Sequence, residues 1–334
     1  MKRLLVVLAT VLLAFATSPA VAAPANSTGP YTPSNRPGPP LSVPAADLRA
    51  AVTCTPSAYG SDREVALLVP GTGVGPSEAY SWNWLAALDQ ADHPYCTVAL
   101  PDGSVGDVQE SAEYVVHAIR YAYRISHHRI AVIGASQGGV TPRFALRFWP
   151  DTRTMVADYV GLAAVNHGSS QNDILYPEGN GPAFGLQLRT TSRFIEATNS
   201  ERETFPGISY TSLSTTHDQF VTPDGTTDLR GPASRVANIS LQDVCPDNRS
   251  DHIGIGTSDP VAYALTINAL THDGPADPAA IPSSVCDRTF MPGIDPRTFA
   301  SDLAAFTETA TATIAGAPIH RVEPALKPYV LARR

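Results

Sequence analysis

Ile130–Gly139 has the sequence IAVIGASQGG, an apolar and partly β-branched run that breaks into the pattern Gly-x-Ser-x-Gly. A buried strand that turns sharply into a helix leaves no space for side chains two positions before and after the serine. This steric limit explains why glycine occupies positions 134 and 138. Such a turn holds the Ser136 hydroxyl above a sheet edge and leaves the backbone N–H of Gln137 unpaired. During acyl transfer the carbonyl oxygen of a substrate becomes negative, and this N–H points to where that oxygen would lie. The stretch therefore predicts a serine nucleophile with half of an oxyanion hole.

Apolar runs and segments with helical spacing alternate along the chain on both sides of this stretch. Helical spacing is clearest after the pair Asp107 and Glu110, which resembles a capping box. Alternating strands and helices indicate a mostly parallel sheet with helices on both faces, and we expect one α/β domain over residues 51–334. The other predicted strands of the sheet are Val65–Val69, Cys96–Leu100, Tyr159–Val165, Ile208–Leu213 and Val236–Leu241.

Two segments depart from this pattern. Pro142 falls early in the helix after Ser136 and removes an N–H, which predicts an irregular first turn or a helix that restarts at Thr141. Residues 168–205 mix Gly, Asn and Pro with one weak helical stretch, and we expect a lid or an entrance wall there.

The N-terminus has the features of a secretory signal peptide. A basic start, Met1–Arg3, precedes a short apolar run and an Ala-x-Ala site at Ala20–Ala22. We therefore expect a signal peptide over residues 1–22, a Pro-rich extended arm over residues 23–50, and a secreted protein. Because the apolar run is too short to span a bilayer and no later segment reaches about 18 apolar residues, no membrane anchor is expected.

The charge balance excludes several classes of function. Removal of Lys2 and Arg3 changes the formal net charge from -8 to -10, which repels the phosphates of nucleic acids. Lys327 is then the one remaining lysine, so Schiff-base chemistry and a phosphate-binding P-loop have almost no residue to use. We expect no nucleic acid partner, no cofactor and a monomer.

The four cysteines of an exported chain predict two disulfides, for which three connectivities exist. We favour pairing between neighbours in sequence, Cys54 with Cys96 and Cys245 with Cys286. No two cysteines have C-x-x-C spacing and none has a nearby cluster of other ligands, so we expect no zinc or other metal site.

Acyl transfer by serine requires a base that takes the hydroxyl proton and a carboxylate that orients this base. Parallel sheets place the three groups on loops at the carboxyl ends of strands, in the chain order serine, acid, histidine. Ser136, Asp218 and His252 each follow a predicted strand in that order, and we assign them as nucleophile, acid and base. The rival candidates are Asp173 and Asp224 for the acid, and His167, His217 and His272 for the base; we interpret His167 as a structural loop residue.

The loop after the strand Val65–Val69 supplies the second oxyanion donor in such an arrangement. Glycines on both sides of Thr72 let the backbone come close to a ligand, and Thr72 is the candidate donor through its N–H and its hydroxyl. The spacing Gly-x-Gly-x-Gly differs from the fingerprint of a dinucleotide-binding loop.

Several motifs in combination give the chain a family resemblance: VPGTG at 69–73 followed by WNW at 82–84, SQGG at 136–139, THDQFVTP at 216–223 and DH at 251–252. Over most of residues 50–290 the chain resembles the family of Candida antarctica lipase B and its bacterial relatives. This resemblance implies an α/β-hydrolase fold, an oxyanion hole from Thr72 and Gln137, no metal, and lipase or esterase activity on hydrophobic carboxylic esters or lipids. It also supports the pairing of neighbouring cysteines.

The chain departs from the family pattern at two places. Ala135 stands where the lipase has a bulky aromatic residue before the nucleophile, which implies a roomier alcohol side of the substrate pocket. A third cysteine pair near the C-terminus is absent, and the resemblance does not map the last forty or so residues. The expected function is a secreted serine ester hydrolase; the alternatives are an acyltransferase or polyester hydrolase with the same triad, or a non-catalytic binding protein.

Overall fold

The computed structural model describes residues 31–177 and 179–332, so the predicted signal peptide at residues 1–22 lies outside the described residues. The strands in this part of the chain are β1 (Val52–Cys54), β2 (Ala66–Val69), β3 (Tyr95–Val98), β4 (Ile130–Ala135), β5 (Val156–Leu162), β6 (Gly181–Pro182), β7 (Ser209–Ser214), β8 (Val236–Ser240) and β9 (Ile319–His320).

The α-helices lie between these strands and after them. They are α1 (Ala45–Ala50), α2 (Pro76–Tyr80), α3 (Trp84–Gln90), α4 (Val108–Ser126), α5 (Gln137–Phe148), α6 (Ser170–Leu175), α7 (Ala183–Gln187), α8 (Arg193–Thr198), α9 (Leu241–Val244), α10 (His252–Thr257), α11 (Pro260–Ala269) and α12 (Phe299–Ala315). Within the described ranges, none of the helices is long and apolar enough to cross a membrane.

A seven-stranded sheet with the order β1-β3-β2-β4-β5-β7-β8 forms the centre, and β6 pairs with β9 in a separate sheet. In the large sheet β1 runs antiparallel to β3, while every other neighbouring pair is parallel. The mostly parallel sheet predicted from the sequence is therefore confirmed. Its topology gathers the carboxyl ends of β2, β4, β5, β7 and β8 at one edge, where the loops that follow these strands meet.

Two apolar layers enclose the sheet because successive strand side chains point to opposite faces. Leu67 and Val132 belong to the layer that α4 and α5 cover, whereas Leu68 and Ile133 belong to the layer that α3 and α11 cover. Strands buried on both faces are the reason that β2 and β4 have continuous apolar sequences rather than alternating ones. The central strands are thus fixed from both sides, and their ends form a rigid base for loops.

Helix α5 differs from the sequence expectation at Pro142. It runs without a break from Gln137 to Phe148 and contains Pro142, although this proline lacks the N–H that would bond to the carbonyl of Gly138. All residues of α5 are buried, so the packing of the helix outweighs the loss of one hydrogen bond, about 1 kcal/mol.

The Pro-rich arm and the two disulfides connect peripheral segments of the chain to the rest of the domain. Disulfides join Cys54 to Cys96 and Cys245 to Cys286. From residue 31 onwards the arm lies against the domain, where the guanidinium of Arg147 donates to the carbonyl of Thr32 and the Trp149 indole donates to the carbonyl of Pro39. The Ser42 hydroxyl donates to Glu113, whose carboxylate also lies 3.5 Å from Lys327 Nζ.

Candidate active site

The turn between β4 and α5 presents Ser136 in a backbone conformation that a residue with a side chain rarely adopts. Its φ is 56° and its ψ is -124°, outside the common regions for residues other than glycine. A Cβ on Gly134 would overlap the carbonyl of Gly138, and a Cβ on Gly138 would overlap the carbonyl of Val69. The two glycines of the motif are therefore required sterically, as the sequence predicts, because strand, turn and helix approach one another closely.

The loop after β2 lies beside this turn and is tied to it by side chains. The hydroxyl of Thr72 donates to Oε1 of Gln137 over 2.5 Å, and Nε2 of the same glutamine donates to the carbonyl of Ser104 over 3.0 Å. Within the described ranges, no acceptor takes the backbone N–H of Thr72 or that of Gln137. Two backbone donors next to Ser136 are thus left for an oxygen that is not part of the protein.

The acid and base candidates form a buried pair at the same sheet edge. Nδ1 of His252 lies 2.8 Å from Oδ2 of Asp218, and their side chains are 7% and 5% exposed. The other carboxylate oxygen accepts the backbone N–H groups of Phe220 and Val221 over 2.8 and 2.7 Å. These bonds fix the carboxylate and leave Nε2 of His252 for a second partner, the arrangement that a general base requires.

His252 begins helix α10 rather than lying in a loop. Its neighbour Asp251 caps that helix by accepting the N–H of Gly254 over 2.8 Å, a common role for aspartate before a helix. The backbone N–H of His252 donates to Gln219, and the ring of Phe220 stands edge-on to the imidazole with centroids 5.3 Å apart. The backbone of His252 is therefore fixed by Gln219, and its imidazole is held by Asp218 and Phe220.

Ser136 and His252 line one cavity of about 480 Å³, whose walls are mostly apolar. Thr72 and Ala135 line it as well, and α6, α10 and α12 enclose it. On this side of the cavity Gly256 lies close to Ala135, because a Cβ on Gly256 would come within 3.3 Å of the Ala135 methyl. A larger cleft of about 690 Å³ beside the Cys245–Cys286 disulfide contains neither Ser136 nor His252, so the chemistry belongs to the smaller cavity.

One wall of the cavity comes from a helix that the sequence assignment missed. Phe306, Ala310 and Ile314 of α12 face the cavity at intervals of four residues, a helical spacing that is visible in the sequence. Gly73 lets this helix come close to the oxyanion loop, because a Cβ there would lie 2.8 Å from the carbonyl of Ala310. Phe220 and Leu175 also line the cavity and were not assigned from the sequence.

The rival candidates lie elsewhere. Asp173 is paired with Arg189 over 3.3 Å, and His272 is bonded to the carbonyl of Asn268. His217 and Asp224 are exposed, and His167 contacts Glu203 and Thr226 instead of the cavity. Among residues 31–177 and 179–332, no group of three or more His, Cys, Asp or Glu side chains is placed to hold a metal ion.

Comparison with known proteins gives two extensive similarities. The chain is 27% identical over 296 residues to lipase B of Pseudozyma antarctica, which covers 87% of this chain and 86% of that protein. It also matches the crystal structure of Aspergillus fumigatus lipase B with a TM-score of 0.79 and 27% identity, over 91% of this chain and 78% of that chain. No protein-family model matches the chain.

Proposed function

Because the chain is a lipase B-like α/β-hydrolase and a carboxylic ester hydrolase, we propose that it cleaves hydrophobic esters through an acyl-enzyme on Ser136. The observation that carries this proposal is the 2.8 Å bond between the buried Asp218 and His252, at the wall of the cavity into which Ser136 opens. A buried histidine that is oriented by a carboxylate serves as the base for a neighbouring hydroxyl.

In the first half of the reaction His252 takes the proton of Ser136, and the serine oxygen attacks the ester carbonyl. The carbonyl oxygen becomes negative and accepts the N–H groups of Thr72 and Gln137. The bond to the alcohol then breaks, and the alcohol leaves with the proton from His252. Asp218 keeps the imidazole in the required tautomer and stabilises its charged form.

In the second half, water gives a proton to His252 and attacks the acyl group on Ser136. The same two N–H groups stabilise the second oxyanion, the carboxylic acid is released, and the proton returns to the serine. The apolar walls of the cavity fit a hydrophobic acyl chain, because such a chain is transferred from water to an apolar surface at about 0.8 kcal/mol per buried CH₂ group.

Labelling of Ser136 tests this proposal. We expect a fluorophosphonate to inactivate the purified protein, and peptide mapping by mass spectrometry to place the adduct on Ser136. Ser136→Ala is expected to lose both labelling and esterase activity while its circular dichroism stays unchanged. An adduct on another residue, or esterase activity retained by folded Ser136→Ala, contradicts the proposal.

Residues 168–205 supply the proposed lid over the cavity. Ile174 and Leu175 of α6 are 67% and 62% exposed, and Leu175 lies at the cavity wall. Replacing both with serine is expected to reduce activity on water-insoluble esters by more than fivefold while hydrolysis of a short soluble ester changes less than twofold. Equal loss on both substrates contradicts a lid role.

Export of the chain is the remaining part of the proposal. The signal peptide expected over residues 1–22 and the two disulfides fit an oxidising compartment outside the cytoplasm. N-terminal sequencing of protein purified from culture medium is expected to begin at Ala23. A protein that stays in the cell with residues 1–22 attached contradicts this expectation.

A further inference from the structure

A histidine in the loop after β5 has two contacts outside the cavity. Nδ1 of His167 lies 2.9 Å from the carbonyl oxygen of Thr226, and its Nε2 lies 3.1 Å from Oε1 of Glu203. A carbonyl and an ionised carboxylate both accept hydrogen bonds and cannot donate. The two contacts join one imidazole ring to two separate segments of the chain, the loop that contains Glu203 and the segment that contains Thr226.

The carboxylate of Glu203 is held in its charged form. Its side chain is 6% exposed, and burial alone would raise its pKa. The hydrogen bonds from His167 and from the Arg230 N–H instead bring the pKa of Glu203 below its ordinary value. Oε1 of this carboxylate lies 3.1 Å from Nε2 of His167 and 3.7 Å from Nε of Arg230, so Glu203 anchors the imidazole from the side opposite Thr226.

The segment that His167 contacts carries the proposed catalytic acid. We call residues 215–228, which follow β7 and contain Asp218, the acid loop. Val221 is its one large apolar side chain that is buried within the described residues, so apolar packing contributes little to its position. Hydrogen bonds from the preceding strand connection hold it instead.

Four of the five residues from 166 to 170 bond to the acid loop. Asn166 donates to the carbonyl of Thr227, the Ser169 hydroxyl donates to the carbonyl of Phe220, and the N–H of Ser170 donates to the carbonyl of Thr222. His167 is the fourth, through Thr226. It differs from the other three because its ring has a second contact, to Glu203, which joins the acid loop to a third part of the chain.

We propose that His167, anchored at Glu203 and bonded to the carbonyl of Thr226, is a positioning residue that fixes the acid loop and thereby the carboxylate of Asp218 against His252. This inference rests on the proposed triad. Its physical basis is that a displacement of about 1 Å in a catalytic group costs roughly a hundredfold in rate, whereas the substrate cavity itself has no contact with His167.

Replacement of His167 by glutamine tests the role in catalysis. Glutamine reaches one of the two acceptors but not both at once, so we expect kcat on a short soluble ester to fall about tenfold or more with KM within twofold. His217→Gln is the matched control, because His217 is an exposed histidine of the same acid loop, and its kinetics are expected to match the wild type. An unchanged kcat in His167→Gln overturns the proposal.

A double-mutant cycle with Asp218→Asn separates positioning of the acid from a general structural effect. If His167 acts through Asp218, His167→Gln is expected to change the rate of fluorophosphonate labelling less than twofold in the Asp218→Asn background. The same fold-loss in both backgrounds overturns the proposal, since the effect then does not pass through the acid.

Two further results keep the test decisive. If His167→Gln fails to fold, Glu203→Gln replaces it, because the amide removes the negative charge of Glu203 while keeping a similar shape. We expect Glu203→Gln to show a smaller fall in kcat with KM unchanged, and wild-type kcat in this variant overturns the proposal.

If Asp218→Asn alone keeps wild-type kcat, the assignment of the acid is wrong and the inference falls with it. Loss of activity in Asp218→Asn with normal His167→Gln overturns the inference alone.

Discussion

The hydroxyl of Thr72 donates to Oε1 of Gln137, which is 65 positions away in the chain and directly after the proposed nucleophile. The side-chain amide of Gln137 points its other end at Ser104, so the acceptor end is the one that faces Thr72. The hydroxyl proton is therefore engaged within the protein, and the backbone N–H groups are the donors left for an oxyanion.

Thr72→Val tests this division of roles. Valine keeps the shape and the backbone N–H but loses the bond to Gln137, so we expect kcat to fall by about tenfold, less than the roughly hundredfold to thousandfold loss for removal of an oxyanion donor. Thr72→Ser is expected to restore most of the activity. A loss of a hundredfold or more in Thr72→Val would show that the hydroxyl itself binds the oxyanion.

Gly138→Ala tests the steric requirement at the turn after Ser136. A methyl group at this position would overlap the backbone carbonyls of Val69 and Pro70, so we expect the free energy of unfolding to fall by about 3 kcal/mol, the upper end for overpacking. Urea unfolding measures the loss. Gly106→Ala is the control, because a Cβ there has no neighbour within 4 Å; equal stability of the two variants contradicts the steric explanation.

Ala135→Phe tests the side of the cavity next to Ser136. Gly256 lies close to Ala135 and leaves little room for a ring in its own direction, so a ring at position 135 would occupy cavity space beside Ser136. We expect kcat/KM for an ester of a bulky secondary alcohol to fall at least tenfold relative to an ethyl ester with the same acyl group, since a pocket contact is worth about 1–3 kcal/mol. Ala135→Ser, which changes the volume little, is expected to leave the ratio as it is. An unchanged ratio in Ala135→Phe places the alcohol elsewhere.

A buried pair of carboxyl groups predicts a decline of stability with rising pH. Burial and the adjacent Asp158 carboxylate raise the pKa of Glu64 to about 9, while Arg129 opposes the shift. Burial also raises the pKa of Asp158, against the charges of Arg129, His272 and Arg235. Between about pH 4 and pH 9 the folded protein therefore keeps the proton of Glu64, whereas the unfolded chain has released it. The folded state binds more protons in this range, so the free energy of unfolding falls as the pH rises towards 9.

Glu64→Gln replaces the titrating carboxyl group with a neutral amide, so position 64 no longer contributes to the pH dependence of stability. We expect the melting temperature of the variant, relative to the wild type, to increase steadily from pH 5 to pH 9. Differential scanning calorimetry across this range measures the effect. A difference between the two proteins that is independent of pH contradicts the raised pKa of Glu64.

Local sterics explain why the sequence predicted the centre of the fold. Gly134 and Gly138 have no tolerated alternative at the turn, and the continuous apolar runs of β2 and β4 follow from burial on both faces. The order of strands and helices could therefore be inferred from residue type and spacing. The acid and base candidates came from their places after β7 and β8, and the structure brings those two side chains together.

Contacts between distant segments explain what the sequence did not reveal. Helix α12 consists largely of Ala and Thr and has no buried residue; the spacing of Phe306, Ala310 and Ile314 indicates a helix but not that this side of it lines the cavity. It approaches the oxyanion loop through the backbone at Gly73. The link from His167 to Glu203 and Thr226 joins three loops by side-chain and carbonyl contacts, and no local pattern encodes such a link. The unbroken helix across Pro142 likewise depends on packing.

The position of α12 in the chain separates one wall of the cavity from the groups that it encloses. All strands of the large sheet precede residue 299, so the turn at Ser136 and the pair Asp218 and His252 belong to a part of the chain that ends before the wall with Phe306 and Ala310 begins. Substitutions in this wall leave the strands that carry the proposed reactive groups unchanged. The C-terminal helix is thus the segment in which substrate selection can vary independently of the chemistry.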